Sequence, residues 1–119
     1  PYQSAVALRP DEPLLRLGLA RAQIELNQPD FTKKAIENLV AAARAEPNYA
    51  PHWHFLGIAY GRDGQLALSS LALAESSLLK HEFVEAKYHA EKAKRGLTKG
   101  SPAYLRAEDI AMAANQGKR

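Results

Sequence analysis

Breakers fall along this chain at intervals of one short helix. Residues 10–13, 27–30, 47–51, 63–64, 80–82 and 96–101 are the joints, and most collect proline, glycine, asparagine or aspartate. Between them lie six candidate helices, near 14–27, 31–46, 51–62, 65–79, 83–96 and 102–115, with an incomplete seventh at 2–8. Connections this short force neighbouring helices to run antiparallel. Strands find little support, because Val, Ile, Thr and Phe never alternate over a useful run. The fold class that follows is all-α.

Each candidate helix carries a narrow apolar stripe. In the second, Phe31, Ala35, Leu39, Ala42 and Ala43 share one face, while Lys33, Lys34, Glu37 and Arg44 point elsewhere. In the fifth, Phe83, Ala86, Ala90, Ala93 and Leu97 do the same. The last opens with Ser101 placed to cap free N–H groups and Pro102 at the first helical position. None of these stripes is wide enough for a helix to stand alone, so the helices must stack.

Two stretches repeat. "ALRPDEPLLRLGLARA" and "RAEPNYAPHWHFLGIAY" both run from a helix end through Pro and a polar turn into a new helix, with Pro10 and Pro47 in register. The second resembles the tetratricopeptide repeat, whose pattern begins W-x2-L-G-x2-Y. Trp53, Leu56, Gly57 and Tyr60 match it, and Ala35, Leu39 and Ala42 supply the second-half spacing. A large side chain at the start of the first helix fills the gap to the preceding repeat, and Gly57 lets paired helices approach closely. Gly64 ends that helix. The first repeat departs from the pattern, with Leu19 and Ala20 for Leu-Gly and with Arg16 and Gln23 at the aromatic positions. After residue 64 the frame reads equally well in two ways. The expected architecture is an antiparallel helix-pair solenoid of about six helices plus a partial N-terminal one. Residues 1–12 end a preceding repeat, 13–48 and 49–80 are repeats, and 81–119 are a degenerate repeat with a C-terminal helix.

Composition narrows the function. A chain of 119 residues is one domain's worth. It has no cysteine, which excludes disulfides, thiolate catalysis and cysteine-based zinc sites. The net charge of +3 comes entirely from residues 65–119, with nine bases against six acids. Those bases alternate with Glu and lack an aromatic stacking surface, so a solvated helix face is expected and a nucleic-acid partner is not. No run reaches membrane-spanning length, so no membrane insertion is expected. The first residue is not Met, and "YQSAVALRP" reads as the tail of a helix already under way, so the chain is taken as a piece of something longer.

Catalytic chemistry finds no footing. "HEFVE" at 81–85 falls one residue short of the zinc-peptidase H-E-x-x-H, since Glu85 stands where the second histidine belongs. His81, Glu85 and His89 recur at i, i+4, i+8, yet Lys80 and Lys87 oppose a cation there. His52 and His54, two apart, diverge on a helix. No nucleophile motif, phosphate loop or isolated carboxylate pair is present, so the fragment is expected to be non-catalytic, with no cofactor or metal of its own.

What remains is a recognition surface. First helices of such repeats line the concave wall, which singles out Leu17, Arg21 and Ile24 on the first helix and His54, Ile58 and Arg62 on the third. Tyr88, Lys92 and Arg95 extend the row if the fifth helix continues the alternation. Basic groups beside apolar ones in that groove suit a protein or peptide partner with acidic groups or a terminal carboxylate. Ordinary solvent-facing residues are the alternative.

A further resemblance covers nearly the whole chain. "AYGRDG" and "SLALAE" at 59–75 and "KGSPAYLRAEDI" at 99–110 look like the C-terminal repeat region of BepA-like (YfgC-like) periplasmic zinc metallopeptidases. Tyr104 departs from the Trp expected in relatives. The resemblance implies a parent enzyme whose separate H-E-x-x-H domain binds zinc. It also implies a periplasmic location, and repeats that contact outer-membrane assembly machinery or unfolded outer-membrane proteins in quality control. Two other readings stay open. One is a cytoplasmic scaffold or co-chaperone with no peptidase domain; the other is an enzyme fragment whose histidines reach a neighbouring active site. A homodimer joined through exposed solenoid ends fits any of these.

Overall fold

The computed structural model describes residues 12–117, and within them the chain is all-α. The helix expected at 2–8 lies outside those residues. Six helices follow: α1 Pro13–Leu26, α2 Pro29–Ala45, α3 Ala50–Arg62, α4 Leu66–Leu79, α5 Phe83–Gly96 and α6 Pro102–Gly117. Every boundary falls within two residues of its expected place.

The local causes are visible at the ends. Pro13, Pro29, Pro51 and Pro102 sit in first turns, where the missing N–H leaves no bond unmade. Glu12 caps α1 through the Leu14 N–H, and Ser101 Oγ accepts from the Tyr104 N–H at 3.2 Å. Asn27 closes α1 in the left-handed conformation at φ 50°, and Gly64 does so after α3 at φ 80°.

Successive helices pack as neighbours from α1 through α6. Gly61 lies against Ser69 and Gly57 against Leu73, so α4 runs back along α3. Small residues set the spacing: Ala20, Ala35, Ala59, Ala74, Ala90 and Ala107 are fully enclosed. Buried side chains gather in two clusters, one across α1–α4 around Leu39 and Leu56, the other across α4–α6 around Ile110. The second is sealed by Arg106 of α6, which donates from Nε and Nη2 to both oxygens of Glu75 at 2.8 and 2.6 Å.

Alternate helices touch on only one flank, and the flank changes. The backbones of α1 and α3, and of α4 and α6, come within 8 Å of each other, but those of α2 and α4 and of α3 and α5 do not. The stack is therefore open between α2 and α4 in its first half and between α3 and α5 in its second. This explains why two frames fit the sequence after residue 64: beyond α3, α4 takes the position relative to α6 that α1 holds relative to α3.

Where α3 carries Trp53 and Tyr60, α1 carries Arg16 and Gln23, and these enter a polar bridge. Arg16 Nη1 donates to Asn38 Oδ1 at 2.9 Å, and Asn38 Nδ2 donates to Gln23 Oε1 at 3.1 Å. Asn38 thus ties α2 to both of the α1 positions that correspond to Trp53 and Tyr60. Gln23 is 8 % exposed, so Asn38→Ala strands its amide oxygen and should destabilise the chain by about 1–2 kcal/mol in urea unfolding. A loss below about 0.3 kcal/mol would show the bridge to be inert.

Candidate peptide-binding groove

The sequence pointed to a row across α1, α3 and α5, and the structure breaks that row. Leu17 and Ile24 are 7 % and 6 % exposed and belong to the first core cluster, so they do not line an open wall. The reason is helical phase: 17, 20 and 24 form the inward stripe of α1, and 21 lies on its edge. Arg21 is exposed, with its guanidinium 4.8 Å from the centroid of the Phe55 ring, where it bridges α1 to α3. Arg62 likewise turns back onto α1, donating from Nη1 to the Ile24 carbonyl at 2.5 Å. That bond occupies a carbonyl at the helix end, next to the Asn27 cap.

Ile58 is half-buried against the core, whereas His54 is exposed and stacks edge-on with Phe55. His54 borders a hollow of about 220 Å3 closed by Pro51, Ser76 and Lys80. Tyr88, Lys92 and Arg95 are exposed on α5, but α5 does not touch α3, so they do not extend the row. Three helices that were read as one wall are α1 and α3, which meet only at a few points, and an α5 whose backbone does not approach α3.

The larger concavity is on the other flank. An apolar groove of about 420 Å3 runs between α2 and α4 with α3 as its floor. Val40, Ala43 and Arg44 of α2 form one side, with Pro47 closing the end. Leu68, Leu71 and Ala72 of α4 form the other. Trp53, Leu56 and Tyr60 make the floor, with Trp53 and Tyr60 packed on the first core cluster beneath. The Trp53 indole N–H donates to the Pro47 carbonyl at 2.8 Å, which fixes the ring in the floor. Burial pushes the Tyr60 phenol above its ordinary value, so it is neutral at any physiological pH. Arg44 is exposed at the rim and is the one charged side chain in the lining.

Sequence reasoning had the floor residues but not their openness. The available signal was the contrast between repeats. Arg16 and Gln23 are bridged to α2 by Asn38, whereas among the described residues no side chain of α4 bonds Trp53 or Tyr60.

The histidines take up separate places. The His52 ring is fully buried, with Nε2 at 2.8 Å from Glu46 Oε1 and its ring 4.8 Å from that of Tyr49. His81 occupies the turn before α5 at φ 60°. Among the described residues no group of three or more His, Cys, Asp or Glu side chains stands where it could hold a metal ion. No helix of the described residues is long and apolar enough to cross a membrane.

His89 on α5 is half-buried, and that burial, reinforced by Lys92 and opposed by Glu85, holds its pKa below the ordinary 6.5. A lowered folded-state value means that the unfolded chain binds the proton first. Stability is therefore whole above pH 6.5 and falls as the pH drops below it. His89→Gln should flatten that part of the stability–pH curve, measured by urea midpoints between pH 7 and 5. An unchanged slope would remove His89 from the account.

Comparison with protein-family models, with curated proteins and with solved structures gave no match to the chain.

Proposed function

We propose that this chain is a non-catalytic protein-interaction module of the tetratricopeptide kind, which holds a segment of another polypeptide in the groove between α2 and α4. The observation that carries this reading is an open apolar slot, about 420 Å3, floored by Trp53, Leu56 and Tyr60 of the repeat signature. Exposed concave apolar surface with a polar group at its rim is the usual form of a recognition site. The segments at 59–75 and 99–110 support a finer placement beside a zinc peptidase of the bacterial periplasm, in outer-membrane protein quality control.

A peptide array of varied sequence, probed with the purified chain, tests the reading. Leu68 lines the groove and is only half-buried, so Leu68→Asp should leave the helical circular-dichroism spectrum intact and abolish array binding. Array binding that survives Leu68→Asp would move the site elsewhere.

A further inference from the structure

We infer that the occupant of the α2–α4 groove is an amphipathic α-helix bearing an acidic residue beside its apolar stripe. This rests on the groove being the polypeptide-binding surface. Three features of the groove select that class.

The first is the state of the backbone around it. Val40–Arg44, Trp53–Tyr60 and Leu68–Ala72 lie in helices, where most N–H and C=O groups are bonded along the helix itself; the Ala43 and Arg44 carbonyls and the Leu68 N–H, in end turns, are isolated exceptions. Of the polar groups on the floor, the Trp53 N–H is already given to Pro47. An extended segment laid here would bury its own amides against a surface with no row of donors and acceptors to receive them. A helix arrives with those bonds made.

The second is shape. α2 and α4 each pack on α3, and their backbones stay apart. A slot between two helices above a third is the seat that ridge-into-groove packing offers to one more helix.

The third is charge. Arg44 is exposed at the rim, the one charge in an otherwise apolar lining, and no ion pair engages it among the described residues. An Asp or Glu on the edge of the incoming stripe meets it there.

Trp53 is the only tryptophan in the chain, so its emission reports on the groove alone. Three short synthetic peptides without tryptophan serve as probes. One is a helix former with Leu at i, i+4, i+7 and Glu at the stripe edge; the second carries Lys for that Glu; the third carries two central prolines. The first should blue-shift Trp53 emission and bind about tenfold tighter than either of the others. Arg44→Glu should reverse the preference between the Glu and Lys peptides.

Equal binding of the proline peptide overturns the helical occupant, and equal binding of the Lys peptide overturns the acidic one. Either result leaves the groove itself standing if Leu68→Asp still abolishes binding. No response of Trp53 to any peptide, together with array binding indifferent to Leu68→Asp, removes the groove as well. The chain's own α6 exposes Leu105 and Met112 with Asp109 between them. Self-association of the free chain that Arg44→Glu or Leu68→Asp abolishes would name α6 of a second copy as that acidic helix and overturn only the reading that it belongs to another protein.

Discussion

Gly57→Leu should lower the stability of the chain by about 3 kcal/mol and its thermal midpoint by at least about 10 °C. A Cβ at position 57 would stand 2.7 Å from Leu73 Cδ2, 2.8 Å from its Cγ and 3.3 Å from the Ser69 carbonyl oxygen. The Leu73 side chain can swing aside, but the α4 backbone cannot move without parting α3 from α4. Parting them also breaks the 2.7 Å bond from Ser69 Oγ to the Gly57 carbonyl, worth about 1 kcal/mol. Helix propensity works the other way, since replacing a mid-helix glycine returns up to about 1 kcal/mol. Overpacking wins for leucine because the added branch has nowhere to go. Alanine is the informative control: it adds the Cβ alone and should destabilise far less. A leucine variant as stable as the native chain would mean that α3 and α4 are not held at glycine distance.

Leu39→Ala should cost about 3 kcal/mol, with urea unfolding as the measure. Leu39 is among the largest fully enclosed side chains and sits where α2 meets the α1–α4 cluster. Its neighbours include Ala20, Ala35 and Ala59, which have no side chain to swing into the space left behind. The cavity therefore persists, and its cost adds to the lost transfer free energy of the deleted side chain. Because the second cluster is built around Ile110 and shares only α4 with the first, the loss should be local. Amide exchange should quicken in α1–α3 well before α5 and α6, as expected when each layer of a stack contacts only its neighbours. Uniform acceleration along the whole chain would contradict the two-cluster description.

The helices were legible because proline, glycine and asparagine act locally. Pro29, Pro102, Asn27 and Gly64 impose their geometry whatever packs against them. Core stripes were legible for the same reason: Ala35, Leu39 and Ala42, or Ala86, Ala90 and Ala93, share a face by period alone. Orientation of the wall was not. Whether residue 21 or residues 17 and 24 of α1 face outward depends on which flank α3 approaches, a tertiary fact that a stripe of Leu, Arg and Ile does not encode. Arg62 illustrates a second limit. A basic residue in the last turn of α3 looks like a ligand for acidic groups, but a helix-end carbonyl of α1 lies within reach and takes it. The switch of the open flank beyond α3 left only ambiguity in the frame, since Ala-rich helices such as α4 can present small residues on two sides.

Polypeptide is proposed to bind on the α2–α4 flank and not on the α1–α3 flank. Amide NMR of the labelled chain, titrated with the tightest peptide from the array, tests it most directly. Binding in the groove should concentrate the shifts at residues 40–47, 53–60 and 68–72, strongest around the Trp53 indole. Shifts concentrated instead at Arg21, His54 and Arg62, with the Trp53 indole signal unmoved, would contradict it.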